Sequence, residues 1–555
     1  METRAILHRG RPLDCFPTSE SGMYIRLRAA RGDLDEAVVV YSDNKFEWTT
    51  KPRLERRMEL LRSDELYDYF GAELALEDTR LAYVFRLRSG GEVSYLCEEG
   101  LGPDFAWDLG YFNYFQYPYI HSSDVMRVPE WTRGAVCYQI FPDRFRIGSG
   151  GKDRGYINLA WGGRPEPTSF AGGDLRGIEE GLDHLAETGV SCIYMTPVFL
   201  SPSNHKYDVE DYYRVDPRFG GDGALRSLIA AAHGRGMRVV LDGVFNHVGR
   251  SFPAFRDALA GHGHESMFHI TRNAGGGVDY RRFEGHPELP ELNHDSEEVV
   301  RLVTDVMLHW LRRGASAWRL DAAYAVSPAF WTRVLPAVRR EFPDVWIMGE
   351  VIHGDYPAIV RQSGMDSLTQ YELWKAIWSS LESANFYELD WSLKRHNEFL
   401  ESFAPQTFVG NHDVTRIASR VGDAGASLAM TVLFTVGGVP SIYYGDEQAF
   451  RGVKEDRMGG DDAVRPAFPA SPDDLPGTGE WMYRLIQGLI GIRRRNPWLT
   501  HAMTTPVTVD NRRYAYDAVG HGGERLHVEL SLDPAPHAVV SGSDGTVLMR
   551  VQHGD

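Results

Sequence analysis

The sequence predicts an α/β protein built on a (β/α)8 barrel of the TIM type. A β-sandwich precedes the barrel, a small lobe is inserted after its third strand, and a short β-domain follows it. Three observations lead there. Residues 1–125 carry short β-prone runs between turn residues, the next stretch alternates apolar runs with helical patterns, and the tail from Leu499 returns to β character.

In the first segment the β-prone runs are Met23–Leu27, Ala37–Tyr41, Leu81–Leu87 and Val93–Leu96, with turn signals at Arg31-Gly32-Asp33 and Ser89-Gly90-Gly91. That spacing suits a sandwich of 1–125. Residues 126–498 hold eight apolar strand runs: Ala135–Phe141, Cys192–Thr196, Met237–Leu241, Ala317–Leu320, Val345–Met348, Ser367–Thr369, Thr407–Gly410 and Ser441–Tyr444. Helical patterns fall between most of them, at Gly177–Thr188, Ala224–Gly234, Ser296–Arg313, Ala329–Arg340, Tyr371–Leu381, Ser427–Phe434 and Trp481–Asn496. Strands buried on both faces read as continuous apolar runs, as parallel strands do. Eight such units indicate a barrel, and a doubly wound sheet is the rival fold. The insertion, 248–293, is rich in His, Gly and Phe and lacks periodicity; residues 499–555 form the C-terminal β-domain.

Composition narrows the function. With 59 basic and 77 acidic residues the formal net charge is −18, which argues against nucleic acid as a partner. The runs Arg53–Arg57 and Arg493–Arg495 read as solvated faces. Four scattered cysteines, no secretion-type N-terminal apolar core and no apolar run long enough for a bilayer point to a soluble cytoplasmic protein with no membrane partner.

In such a barrel, active groups sit just past the C-terminal ends of the strands. A polar residue there is a candidate, and the filter returns few. Strand three leads into Asp242-Gly243-Val244-Phe245-Asn246-His247, strand four into Asp321, strand five into Glu350 and strand seven into Asn411-His412-Asp413. Asp321, Glu350 and Asp413 would therefore ring one mouth, with Arg319, His247 and His412 between them. Each Asp alone reads more readily as a helix cap or turn residue. Together they fit glycoside cleavage, which needs one ionised carboxylate as nucleophile and one carboxylic acid of raised pKa as proton donor. Arg319 lies two residues before Asp321, hence on the same strand face, and would keep it ionised. Glu350 has no basic neighbour in sequence, which suits the donor. Metal-assisted hydrolysis is the competing reading, weakened because Arg319 would fill the space a cation needs.

At these residues the chain resembles the α-amylase family of glycoside hydrolases. The matching segments are Asp242–His247, Ala317–Ala323, Met348–Val351 and Val409–Asp413, in family order. Met195–Gly220 looks like the neopullulanase, cyclomaltodextrinase and maltogenic amylase branch, and the first 125 residues, through Ser63–Phe70, resemble that branch's starch-binding-type N-terminal domain. The resemblance implies Asp321 as nucleophile, Glu350 as general acid/base and Asp413 as the carboxylate that grips sugar hydroxyls. It implies Arg319 orienting Asp321, His247 and His412 hydrogen-bonding the sugar, Tyr207 stacking on it and Asp208 supporting the same pocket. By itself Tyr207 reads as core packing, and only the motif context favours stacking. Asp242 and Asn246 read as structural.

Two departures bear on specificity and metal. Relatives carry an Asn-Glu pair where this chain has Tyr324-Ala325, and a Trp where it has Ile352. Tyr324 either lines the acceptor side, favouring mixed-linkage cyclic oligosaccharides, or merely packs. The loop Arg146–Asp153 lies where relatives bind calcium; it offers Asp153, with Asp174 and carbonyls, against an unfavourable Lys152. No cofactor is required by the chemistry, and calcium stays open. The expected activity is retaining hydrolysis of α-1,4 or α-1,6 bonds in short or cyclic maltooligosaccharides. The alternatives are transglycosylation by the same residues and, more remotely, a non-catalytic glycan-binding protein. The resemblance also implies a homodimer through the N-terminal domain.

Overall fold

The computed structural model describes residues 1–10, 14–19, 21–42, 48–49, 52–108, 113–120, 128–273, 277–469 and 479–552. They fall into two compact units, Met1–Arg127 and Val128–Asp555.

The first unit is a pair of antiparallel sheets. One joins Cys15–Ser19, Gly22–Ala30, Tyr67–Ala75 and Glu59–Ser63; the other is built around Glu36–Ser42, Leu81–Ser89 and Glu92–Cys97. Alternation places Ile25, Leu27, Val39, Phe85 and Leu87 in the layer between the sheets. The opposite faces of the second sheet's strands are covered too, by Trp48, Phe105 and Tyr114 packed on Val38, Val40 and Val84.

The second unit contains the barrel. Its strands are β1 (Cys137–Ile140), β2 (Cys192–Met195), β3 (Arg238–Gly243), β4 (Ala317–Leu320), β5 (Trp346–Gly349), β6 (Ser367–Leu368), β7 (Gln406–Phe408) and β8 (Val439–Tyr443). They pair in parallel in the order β6-β5-β4-β3-β2-β1-β8-β7. A single parallel bridge, Thr369 with Gln406, joins β6 to β7 and completes the ring. All eight coincide with apolar runs of the sequence, because a strand in this position is walled by side chains inside and helices outside. At Gly349 a Cβ would stand 2.5 Å from the sulfur of Met365, so any larger residue there would require the Met365 side chain to move.

The helices match less closely. The pattern over Gly177–Thr188 is two helices, Leu175–Glu180 and Leu182–Thr188, meeting at Gly181. Tyr356–Ser363 and Phe386–Leu400 are further helices that the pattern did not reveal. In the latter, buried Asp390, Ser392, His396 and Asn397 sit among the buried apolar residues and blur the amphipathic period. The inserted lobe holds a helix, Pro253–Ala260, and a hairpin of Ile270–Arg272 with Val278–Tyr280. The bridge of His247 with Glu291 and the Leu292 N–H on the Asn246 carbonyl at 3.0 Å tie it down at the mouth of β3.

The C-terminal five-stranded meander, from Met503–Val509 to Val547–Gln552, belongs to the same compact unit as the barrel. Asn397 of the long helix exchanges hydrogen bonds with the Thr504 backbone at 2.7 and 2.9 Å, and Thr435 meets Tyr516 at 2.5 Å.

Candidate active site

Strand register sets the first two groups side by side. Leu320 of β4 pairs with Gly349 of β5, so Asp321 and Glu350 leave neighbouring staves at the same height. The Glu350 N–H donates to the Leu320 carbonyl at 2.9 Å, and the Asp321 N–H to the Gly243 carbonyl at 3.0 Å. Ala322 then takes the left-handed conformation (φ 44°), which turns its N–H onto Glu350 Oε2 at 2.9 Å. A non-glycine residue in that region is held there by its surroundings, a form of strain found at functional sites.

One guanidinium organises the carboxylates. Arg319 Nη1 donates to Asp321 Oδ1 at 2.6 Å and to both oxygens of Asp242 at 2.9 and 3.0 Å. Its Nη2 lies 2.8 Å from Glu350 Oε1. Glu350, which has no basic neighbour in sequence, finds a basic partner in space. The partner comes from the adjacent strand, not from its own. Asp242 is the third anion on this one cation, and it accepts the hydroxyls of Tyr194 and Tyr207 at 3.1 Å, contacts that fit its structural reading.

Asp413 stands on the same rim after β7. Its Oδ1 accepts from Arg465 Nη2 at 3.0 Å, and its N–H donates to Asn411 Oδ1 at 2.9 Å. Asn411 Nδ2 donates to the Tyr371 hydroxyl at 2.9 Å, and that hydroxyl donates to Glu350 Oε1 at 3.3 Å. A polar chain thus runs from Glu350 to Asp413. Asp413 keeps 35% of its side chain exposed, while the side chains of Asp321 and Glu350 keep 10% each, so Asp413 is the most open of the three carboxylates.

The remaining expected residues are near but mostly engaged. His412 is held by Gln139 at 2.9 Å and by the Tyr207 hydroxyl at 2.7 Å, its ring nearly parallel to that of Tyr207. His247 spends both ring nitrogens on the protein, on the Tyr207 carbonyl at 3.1 Å and on Asn246 Nδ2 at 3.3 Å, and stacks on Phe283. In this arrangement it positions the Tyr207 loop and offers a sugar no free ring nitrogen. Asp208 accepts Ser201 and Ser203 hydroxyls at 2.5 Å each and braces the same loop. Beside it Lys206 is buried at φ 66°, its Nζ on Asp216 at 2.6 Å. Tyr324 is 36% exposed and donates to Glu284 Oε1 of the inserted lobe at 3.1 Å. It does not merely pack.

Burial dominates the electrostatics. It pushes Glu350 up to about 7, with Asp321 and Asp413 adding to the rise and Arg319 opposing it. Asp242 is pushed up to about 7 for the same first reason, and Asp321 is raised as well, so Arg319 does not offset burial there. One cation cannot neutralise three buried anions, so the cluster retains a proton near neutral pH. Burial also lowers His412 to about 3 and His247 to about 4, leaving both uncharged. At Asp413 burial is outweighed by cationic neighbours and the carboxyl falls to about 2. With His412 neutral, Arg465 is the cation in contact.

The calcium reading does not fit the residues as they stand. Asp153 turns its carboxylate to the Gly155 N–H at 2.8 Å, and Asp174 pairs with Lys152 at 2.7 Å. Among the described residues there is no group of three or more His, Cys, Asp or Glu able to hold a metal ion. Sequence reasoning missed Arg465, Tyr371 and Glu284, which reach the site from a loop after β8, from the helix after β6 and from the inserted lobe. Only the proximity of Tyr371 to the end of β6 could have pointed to it.

Residues 139–275 and 277–475 match the family described as alpha amylase, catalytic domain, and residues 1–121 match the alpha amylase N-terminal ig-like domain. The chain is 34% identical to neopullulanase 2 of Thermoactinomyces vulgaris, over 99% of this chain and 93% of that one. A solved cyclomaltodextrinase superposes with a TM-score of 0.81 at 30% identity, covering 96% of this chain and 92% of the other. The cyclic alpha-maltosyl-(1-->6)-maltose hydrolase of Arthrobacter globiformis gives 0.66 at 29% identity, over 76% of this chain and 98% of that one. No helix among the described residues is long and apolar enough to cross a membrane.

Proposed function

The chain belongs to the α-amylase family and is a glycoside hydrolase, and we propose that it cleaves short or cyclic maltooligosaccharides with retention, Asp321 being the nucleophile and Glu350 the acid/base. The observation that carries this is the shared guanidinium. Two carboxylates from adjacent strands meet one side chain, which favours the close spacing of a retaining pair over the wider gap of an inverting one.

In the first step the Asp321 oxygen attacks the anomeric carbon while Glu350 gives its proton to the departing glycosidic oxygen. The product is a glycosyl ester on Asp321. In the second step Glu350, now ionised, takes a proton from water, and that water displaces Asp321. Arg319 stabilises whichever of the two is ionised, Asp321 before the attack and Glu350 in the glycosyl ester, and Asp413 grips sugar hydroxyls beside them. Inactivation with a fluorosugar that traps the ester, followed by peptide mass spectrometry, tests the assignment. The adduct is expected on Asp321, and an adduct on any other residue overturns it.

On the acceptor side we place Tyr324 with Glu284. This pair supports a preference for cyclic substrates of mixed linkage, since it presents a phenol face and a carboxylate where the leaving sugars depart. We also read the protein as a cytoplasmic homodimer. Four free cysteines support a reducing compartment, and exposed Leu60, Leu61 and Leu66 on the N-terminal unit support association there.

A further inference from the structure

The loop where the family resemblance implies calcium instead holds the ammonium of Lys152. Its Nζ donates to Asp174 Oδ2 at 2.7 Å, to the Gly172 carbonyl at 2.6 Å and to the Arg218 carbonyl at 2.9 Å. An ammonium has three protons, and all three are used. The side chain is 9% exposed, with the Tyr156 ring 5.6 Å from Nζ on one side. The oxygens are fixed independently of the lysine. Asp174 accepts the N–H of Gly148 at 3.0 Å and of Gly177 at 2.7 Å through its other oxygen, and the Tyr156 hydroxyl also reaches the Arg218 carbonyl, at 3.0 Å.

One carboxylate and two carbonyls converging on a point are the hard oxygen donors that a divalent cation takes. Here that point is filled by a charge that the chain supplies itself. We propose that Lys152 is a built-in replacement for a structural metal ion, tying together the 146–153 loop, the Gly172–Asp174 turn and the Arg218 segment. Through Asp216, which holds both Lys206 and Arg218, the tie continues to the base of the Tyr207 loop. The anchored oxygens predict that removing the lysine leaves a cradle that accepts a metal ion.

The test is thermal melting of the full-length protein and of Lys152→Ala and Lys152→Met, each with EDTA or with millimolar calcium. The melting point of the unsubstituted protein is expected to be indifferent to both. Lys152→Ala is expected to melt several degrees lower and to regain part of the loss, saturably, with calcium. Lys152→Met, which fills the space without charge, is expected to melt lower and gain nothing. A melting point of the unsubstituted protein that falls with EDTA and returns with calcium overturns the proposal, because the ion is then resident. So does a Lys152→Ala protein that melts unchanged or fails to respond to calcium. Should Lys152→Ala not fold, an unchanged melting point for Lys152→Met overturns it.

Discussion

Arg319 reaches across from β4 to place Nη2 2.8 Å from Glu350 Oε1, so the proposed proton donor sits on a permanent cation. An arginine contact ordinarily holds a carboxyl ionised. Here it is outvoted by burial and by the other carboxylates, and Glu350 keeps its proton to about pH 7.

The pH profile follows. As pH rises through about 7, Glu350 loses the proton that the leaving oxygen needs, and kcat/KM is expected to fall. Asp413→Asn removes one of the charges that raise Glu350, so its alkaline limb is expected at lower pH, beside weakened binding. Initial rates on a soluble maltooligosaccharide across pH 5–9 check both. An alkaline limb that stays in place in Asp413→Asn contradicts the coupling.

Stability should carry the same signature with the sign of a raised acid. Glu350 is raised in the folded state, so it costs nothing below its ordinary range, and its penalty grows as pH climbs toward about 7. Glu350→Gln escapes that penalty. Its melting point relative to the parent protein is expected to be a few degrees more favourable at pH 8 than at pH 4.5, by calorimetry. An equal difference at both pH values refutes the raised pKa.

Tyr371 acts through Glu350, to which its hydroxyl donates at 3.3 Å. Tyr371→Phe removes a donor to the ionised form. We expect kcat to fall by about tenfold, less than the roughly 10²–10⁴-fold of a full general acid or base. KM and the melting point should change little, and the alkaline limb should move up. A KM effect without a shifted limb would make Tyr371 a binding residue instead.

Glu284 and Tyr324 meet at 3.1 Å beside the cleft. Glu284→Gln and Tyr324→Phe are expected to change the rate ratio between a mixed-linkage cyclic tetrasaccharide and linear maltotetraose, while leaving the alkaline limb, set by Glu350, in place. Chromatography of products at high substrate reads the transfer fraction in the same samples. If both variants treat the two substrates alike, the pair does not set specificity.

The exposed leucines of the N-terminal unit give a fifth expectation. Light scattering at micromolar concentration should return twice the chain mass, and Leu60→Lys with Leu66→Lys should return the monomer. A monomeric parent protein removes the dimer.

The barrel was legible because parallel strands are apolar throughout, and so were the acidic residues just beyond them. Interactions between strands were not. That Glu350 shares Arg319 depends on the pairing of Leu320 with Gly349, and register between distant segments leaves no local trace. Arg465 and Glu284 come from irregular segments where no periodicity marks a direction. The sugar-binding role of His247 rests on the family resemblance; its carbonyl partner at Tyr207 is a property of the folded loop alone. The helix Phe386–Leu400 was hidden by polar side chains that are buried, a choice the chain makes in three dimensions.

The ring of staves has a seam. Between β6 and β7 it is fastened by the lone Thr369–Gln406 bridge, with the Gln370 N–H on the Gln406 carbonyl at 2.9 Å. Asp321 and Glu350 follow β4 and β5 within the continuously paired arc, whereas Asp413 follows β7 at the seam itself. Warming should therefore loosen the grip on sugar before it disturbs the bond-breaking pair, so that the first casualty of heat is affinity and the second is turnover.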